Sequence, residues 1–241
     1  MSLTITEFGR GIKPLVFFHG WGFSSKIWLP LIPNIIGQYK IFLVDLPGFG
    51  TSSKMDWQTF KLLLLQDLPK QFSLVGWSMG GLLATRLAIE EPERVSALVN
   101  IASSPKFIQD QDWPGIKKTM LNLFYRKLIH YPHQTLEKFI NLQTAGHFDA
   151  YELVDSIPSL PALKVGLEYL VEYDLRSQLS QLSSRCCYLF GRLDSIVPIA
   201  TLAVMKKNYP QFHYMAFDKS GHAPFLAEQA FFVAVLEEVL Q

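Results

Sequence analysis

Gly76-Trp77-Ser78-Met79-Gly80 sets a serine between two glycines, directly after the apolar run Phe72 to Val75 and directly before the helix-forming run Gly81 to Ala88. A serine hydroxyl is a weak nucleophile at neutral pH. An enzyme that attacks with one must expose it on a sharp strand-to-helix turn beside a general base, with glycines where side chains would collide. With Gly and Ser each at about 7% of residues, the bare G-x-S-x-G pattern would arise by chance in roughly one chain in ten of this length. Its place between a strand pattern and a helix pattern is what gives it chemical meaning.

The partners of such a serine should sit in loops at the carboxyl ends of parallel strands. His222 lies in Lys219-Ser220-Gly221-His222-Ala223-Pro224-Phe225, between the last strand pattern and a proline-started helix. A loop histidine can be merely solvated, but His222 follows both Ser78 and a candidate acid, the chain order serine, acid, histidine of this architecture, and reads as the base. The acid is Asp194, in Gly191-Arg192-Leu193-Asp194-Ser195-Ile196-Val197-Pro198, where the alternative is a turn or helix-capping aspartate. Asp45 precedes the serine and is assigned a turn role, and Asp218 sits at a strand end and is the weaker candidate.

Acyl transfer passes through an oxyanion that backbone N–H donors must already face. The expected donors are the N–H of Met79, just after the serine, and the N–H of Trp21 in His19-Gly20-Trp21-Gly22. His19 closes a buried strand pattern ahead of the serine and is expected to hydrogen-bond structurally. Because His222 must begin neutral to take a proton, acid should slow the reaction.

These loops need a scaffold. Short apolar runs alternate with helical patterns, as in parallel βαβ construction. Strands are expected at Leu15 to Phe18, Ile41 to Val44, Phe72 to Val75, Val95 to Ile101, Cys187 to Phe190 and Phe212 to Phe217. Helices are expected at Trp28 to Ile36, Gln58 to Leu65, Met79 to Glu90, Ile199 to Asn208 and Phe225 to Leu240. Several strand runs are apolar almost throughout, which suits a sheet covered on both faces. Between about Pro105 and Arg176 no strand pattern occurs, and the residues read as amphipathic helices broken at Pro114, Pro132, Gly146, Pro158 and Pro161. The expected organisation is a core of residues 1–106 and 177–241 with a helical lid inserted at 107–176.

Composition narrows the class. A chain of 241 residues, 49% hydrophobic and 18% charged, can bury one substantial core. Its 22 basic and 21 acidic residues give a net charge of +1, so neither a nucleic-acid nor a membrane partner is expected. The N-terminal residues have no basic stretch leading into an apolar run, and no apolar run is long enough to span a bilayer. Cys186 and Cys187, the two cysteines, are neighbours in a strand pattern and should point to opposite faces. A disulfide framework is excluded and a cytoplasmic location is expected. His130, His133, His147 and His213 lack zinc-like spacing with Cys, Asp or Glu, Pro132 interrupts the pair at 130 and 133, and no metal or cofactor is expected.

With Ser78, Asp194, His222 and the His19 to Gly22 loop assembled, the chain resembles the α/β-hydrolase superfamily. More narrowly it resembles the carboxylesterase family of biotin biosynthesis that acts on pimeloyl-[acyl-carrier protein] methyl ester. The resembling segments are HGWG at 19–22, LVDLPGFG at 43–50, GWSMGG at 76–81, PERVSALVNIASSPKF at 92–107, WPGIK at 113–117, LQTAG at 142–146, GLEYL at 166–170, DLR at 174–176 and HAPF at 222–225. ASSPKF, WPGIK and LQTAG are the narrower signals.

The resemblance implies a serine carboxylesterase that is monomeric and takes a small or carrier-linked acyl ester. It implies substrate contacts at Trp21, Ser78, Met79 and the lid segment Phe139, Ile140, Asn141, Leu142 and Gln143. Phe139 and Gln143 are four apart and would share one helix face. One feature departs from a carrier-binding pattern. A carrier protein is acidic, yet the stretch from Pro105 to Arg176 nets −1 on 8 basic and 9 acidic residues, with Lys138 the lone Lys or Arg between Lys127 and Lys164, and Tyr151 and Asp155 add no basic stripe. The residues themselves leave open a generalist short-chain esterase, a thioesterase, a C–C bond hydrolase and a non-catalytic binding protein on the same fold.

Overall fold

The computed structural model describes residues 1–144, 158–182 and 184–240. Seven strands form one sheet: β1 Ile5–Phe8, β2 Lys13–Phe18, β3 Tyr39–Val44, β4 Phe72–Trp77, β5 Val95–Ile101, β6 Arg185–Gly191 and β7 His213–Phe217. The spatial order is β1-β3-β2-β4-β5-β6-β7, parallel throughout except for β1, which runs antiparallel to β3. All six expected strands are present, with no end shifted by more than two residues. The edge strand β1 was not expected. Its sequence, Ile-Thr-Glu-Phe, is only half buried, so it offers no continuous apolar run.

The strands are apolar on both faces because both faces are covered. Val16, Phe18, Leu74 and Cys186 enter one core, whereas Leu15, Phe17, Val75 and Cys187 enter the other. The neighbouring cysteines therefore do face opposite ways, both buried as free thiols. One layer includes α2 Trp57–Asp67, α3 Met79–Glu90 and α7 Ala200–Asn208. The other holds a 3₁₀ stretch at Ser25–Leu31, α1 Ile32–Ile35, α8 Pro224–Ala227 and α9 Gln229–Val239.

Two expected helices are broken. Pro30 lies inside the 3₁₀ stretch and Pro33 opens α1; each lacks the N–H a continuous α-helix would use. The final helix is interrupted at Glu228, where φ −125° and ψ 51° leave the helical region. Its carboxylate instead binds the loop that carries His222, as described below.

β5 and β6 are adjacent in the sheet, but α4 Lys118–His130, α5 Pro132–Thr144 and α6 Leu160–Glu172 lie between them in sequence. This insertion is anchored where it leaves and rejoins the core by Leu175 N–H to Pro105 O, 3.0 Å. The described part contains isolated bridges Ile108 to Ile116 and Asp110 to Trp113 but no strand. Gly146, His147, Tyr151 and Asp155 lie outside the described residues. Among the described residues, no helix is long and apolar enough to cross a membrane.

Candidate active site

The chain leaves β2 toward β3 on one side and returns to β4 on the other, so the crevice at the carboxyl ends of β2 and β4 is the topological switch point, where open α/β sheets bind ligands. Ser78 stands there, between β4 and α3. Its φ of 55° and ψ of −120° are unusual for a residue with a side chain. It occupies the position before the first helical residue, where a serine ordinarily accepts from the following turn, but makes no such bond. The hydroxyl is left for other work. A Cβ at Gly76 would come within 2.6 Å of Gly80 O, and one at Gly80 within 2.4 Å of His19 O. The glycines thus permit both the turn and the close approach of the His19 to Gly22 loop.

The backbone of Ser78 is held on both sides. Its N–H donates to Ile101 O at 2.9 Å, and its carbonyl accepts from Gly81 N, Leu82 N and the buried Ser103 hydroxyl, the last at 2.8 Å. Between Ile101 and Ser103, Ala102 also takes a positive φ of 44°. The turn after β5 is shaped to grip the turn after β4.

Asp194 and His222 meet directly: Asp194 Oδ2 lies 2.7 Å from His222 Nδ1, with both side chains buried. Asp194 Oδ1 accepts from the N–H groups of Ile196 at 2.7 Å and Val197 at 3.0 Å, so the aspartate is a turn residue and the partner of the imidazole at once. On the far side of the ring, Nε2 is buried and has no hydrogen-bond partner among the described residues. That is the atom with which an imidazole accepts a serine proton. Trp77, the residue before the serine, donates from its indole to His222 O at 2.6 Å, and the two rings are 5.7 Å apart. The His222 loop is tied down by Glu228, which accepts from Lys219 N and the Ser220 hydroxyl.

The other histidines and carboxylates separate cleanly. His19 is buried, with Nδ1 donating to Gly20 O at 2.8 Å and Nε2 accepting from Leu46 N at 3.0 Å. Burial lowers its pKa, outweighing the opposing effects of the Gly20 hydrogen bond and Asp45. Asp45 accepts from Ser25 N and Thr51 N, each at 2.9 Å. Burial would raise its pKa, but these bonds and the Ser25 hydroxyl more than offset it, and the carboxyl titrates below its usual value. Asp218 is exposed and paired with Arg192. His130, His133 and His213 are exposed, the first closing α4 and the second in the first turn of α5. Among the described residues, no three His, Cys, Asp or Glu side chains gather as metal ligands do.

Trp21 is buried under the insertion. Its ring meets Phe124 of α4 at 5.5 Å and Phe139 of α5 at 5.2 Å, both near edge-on, and its indole N–H donates to Leu163 O of α6 at 2.8 Å. Met79, the first residue of α3, has an N–H with no acceptor within the helix. Of the five residues at 139–143, Phe139 is half buried against Trp21, Ile140 and Gln143 are buried, and Asn141 and Leu142 are exposed, Leu142 by 54%. Gln143 Nε2 has no partner among the described residues.

Phe124 and Phe139 also floor a groove of about 380 Å³ between α4 and α5, open to solvent and rimmed by Lys127 and Lys138. The sequence did not single out Ser103, Leu163, Gly166 or Glu228. An isolated glycine inside the α6 pattern was a readable signal for Gly166; the other three have no local signature.

The family model for the alpha/beta hydrolase fold matches residues 13–229. The chain is 49% identical to the pimeloyl-[acyl-carrier protein] methyl ester esterase of Legionella pneumophila (strain Corby) over all of both chains. It is 37% identical to the protein of the same name from Aeromonas hydrophila, over 98% of each. Among solved structures it resembles an esterase from Exiguobacterium antarcticum with a TM-score of 0.89 at 23% identity, over 99% of this chain and 95% of that one, a likeness of fold.

Proposed function

The chain belongs to the alpha/beta hydrolase fold family, and we propose that it hydrolyses the methyl ester of a pimeloyl group carried on acyl carrier protein, releasing methanol and leaving the free carboxylate. Hydrolysis of a carboxylic ester is the activity of its relatives. The observation that carries the site assignment is the buried Asp194–His222 pair, whose Nε2 has no hydrogen-bond partner among the described residues and whose loop is bonded to Trp77, the residue before the strained turn of Ser78. The substrate assignment is supported by the full-length identity of 49%.

In this reading Ser78 Oγ attacks the methyl ester carbonyl while His222 Nε2 takes its proton. Asp194 holds the imidazole in the tautomer with Nδ1 protonated and stabilises the imidazolium that forms. The oxyanion is met by the N–H groups of Trp21 and Met79. As the tetrahedral intermediate collapses, the proton on Nε2 passes to the methoxy oxygen and methanol leaves. Water then attacks the acyl-serine with His222 as base, and the same groups stabilise the second oxyanion before Ser78 is regenerated.

The helices between β5 and β6, with the loops that join them to the core at 107–176, form the lid. The acyl chain lies under it against Trp21 and Phe139, with Gln143 supplying a polar contact. Lys127 and Lys138, on different helices, rim the groove between α4 and α5 that Phe124 and Phe139 floor and offer a local basic site for an acidic carrier even though the whole insertion is close to neutral. The reading places the enzyme in the cytoplasm, in keeping with two buried, unpaired cysteines.

The test compares kcat/KM for pimeloyl-carrier methyl ester with that for p-nitrophenyl acetate. The carrier-linked ester should be preferred by at least tenfold. Equal efficiency would favour a generalist esterase, and failure of a serine-directed phosphonate to label Ser78 would remove the nucleophile assignment.

A further inference from the structure

We propose that α6 is a positioning element for the oxyanion hole, acting through the Leu163 carbonyl and the missing side chain of Gly166. The proposal rests on the reading that the N–H groups of Trp21 and Met79 hold the oxyanion. It adds a helix of the insertion to the parts that set the geometry of the reaction.

Ala162, Leu163, Gly166, Leu167 and Leu170 form the buried stripe of α6. Two points on this stripe approach the core more closely than ordinary side chains permit. The side chain of Ala162 rests on the Gly48 turn, where a Cβ on that glycine would lie 2.8 Å away. One turn further on, a Cβ at Gly166 would lie 2.6 Å from Trp21 Cδ1, 3.0 Å from Trp21 Nε1 and 3.0 Å from Met79 Sδ. A single glycine thus touches the side chains of both residues that supply the oxyanion donors. Between these points, Leu163 O accepts the Trp21 indole N–H at 2.8 Å.

Glycine is disfavoured inside a helix relative to alanine, so its presence needs a local reason, and this close approach supplies one. The Trp21 ring is buried and already bounded by Phe124 and Phe139, so it cannot move away from α6 without disturbing those contacts. Seating α6 therefore fixes the indole, and the indole fixes the backbone from which its N–H points. A methyl group at position 166 must either lift α6, breaking the Leu163 bond, or turn Trp21 and carry its N–H off line. A displacement near 1 Å at such a site can cost about a hundredfold in rate.

The experiment uses Gly166→Ala and Trp21→Phe, with the exposed Lys164→Ala as control, and reads three quantities: kcat and KM on p-nitrophenyl acetate, the rate of phosphonate labelling at Ser78, and the thermal midpoint. Gly166→Ala should lower kcat roughly 10- to 100-fold and slow labelling by a similar factor, because the phosphonate oxygen occupies the same hole. KM should stay within about twofold, since ground-state binding is not what changes. Trp21→Phe, which keeps a ring but loses the indole donor, should move the same two rates in the same direction, and Lys164→Ala should move neither.

Wild-type kcat and labelling in Gly166→Ala, with Ser78 of the parent protein labelled normally, would overturn the proposal alone. A parent protein that is not labelled at Ser78 would overturn the site reading and the proposal with it. If Gly166→Ala does not fold, Trp21→Phe decides, and unchanged rates in that variant overturn the proposal.

Discussion

The loops that carry Ser78, Asp194 and His222 and the helices inserted between β5 and β6 are held by different forces. Each of the three residues is fixed by buried hydrogen bonds to backbone: Ser78 to Ile101 and Ser103, Asp194 to Ile196 and Val197, His222 to Trp77. The insertion meets the core through aromatic edges on Trp21, the Leu163 carbonyl and exposed ion pairs where it joins the sheet. Buried hydrogen bonds are directional and leave a costly orphan when broken; the insertion has one such bond to Trp21, and its other contacts named here are aromatic edges and exposed ion pairs that carry no such penalty. The proposed reaction needs its reacting atoms placed to a fraction of an ångström while the proposed lid admits a substrate, and that calls for such a division.

The largest effect should follow from Ser78→Ala. Loss of the nucleophile should reduce kcat by about 10⁴ or more with little change in thermal midpoint, because the hydroxyl makes no helix-capping bond. Near-normal turnover of p-nitrophenyl acetate by this variant would end the assignment. On the insertion side, the double variant Lys127→Glu, Lys138→Glu should lower kcat/KM for the carrier-linked ester by about tenfold or more at low salt, the size of an electrostatic steering effect, while a small neutral ester suffers far less. An equal loss on both esters would show that the lysines shape the pocket and do not recruit a carrier.

The two regions were not equally legible in the sequence. Apolar strand runs and loop chemistry are local, so the sheet, Ser78, Asp194 and His222 could be read from short segments. Pairing across the sheet is not local. Ser103 follows a strand like any turn serine, and only the adjacency of β4 and β5 brings its hydroxyl to Ser78 O. Lys127 and Lys138 look unrelated until α4 and α5 fold back on each other at Pro132. The weak edge strand β1 and the break at Glu228 were missed because each is set by a tertiary partner: β3 in one case, Ser220 and Lys219 in the other.

Within the core, His19 provides a pH signature. Its folded pKa lies below the ordinary value of 6.5. Below pH 6.5 the unfolded chain binds a proton that the folded one refuses, and stability should fall by up to about 1.4 kcal/mol per pH unit until the folded value is reached. Thermal unfolding from pH 8 to 5 should display this slope, and His19→Gln should flatten it; an identical slope in the variant would locate the titrating group elsewhere. A smaller effect is expected from Ser103→Ala. The Ser78 carbonyl and the Met79 N–H belong to one peptide plane, and each hydrogen bond accepted by the carbonyl strengthens the N–H as a donor by roughly 10–30%. Losing one of three such bonds should cost about two- to eightfold in kcat, a fraction of the 10²- to 10³-fold typical of removing an oxyanion donor. KM should hold, and a change confined to KM would mean that Ser103 lines the pocket.

The smallest effect belongs to the base of the insertion, and it tests whether the cover is secured as loosely as its contacts suggest. Arg176 reaches Asp174 at 2.6 Å and Asp110 at 3.2 Å, Lys106 binds the same two carboxylates, and the Arg176 guanidinium lies 5.3 Å from the centre of the Trp113 ring. Side-chain hydrogen bonds, from Lys106 to Asp110 and from Arg176 to Asp174, are the main reason that both carboxyl groups titrate down at about 2. Because these folded values lie below the unfolded 3.8, the network stabilises fully above about pH 4 and is lost as pH falls toward 2. Exposed pairs contribute little, so Arg176→Ala should cost no more than about 1 kcal/mol. The difference in thermal midpoint from the parent should stay constant from pH 5 to 8 and shrink with added salt. The core would therefore weaken below pH 6.5 through His19 while the base of the insertion stays intact to about pH 4. A variant whose deficit grew between pH 8 and 5 would tie the base of the insertion to the titration of the core and dissolve the distinction between the two regions.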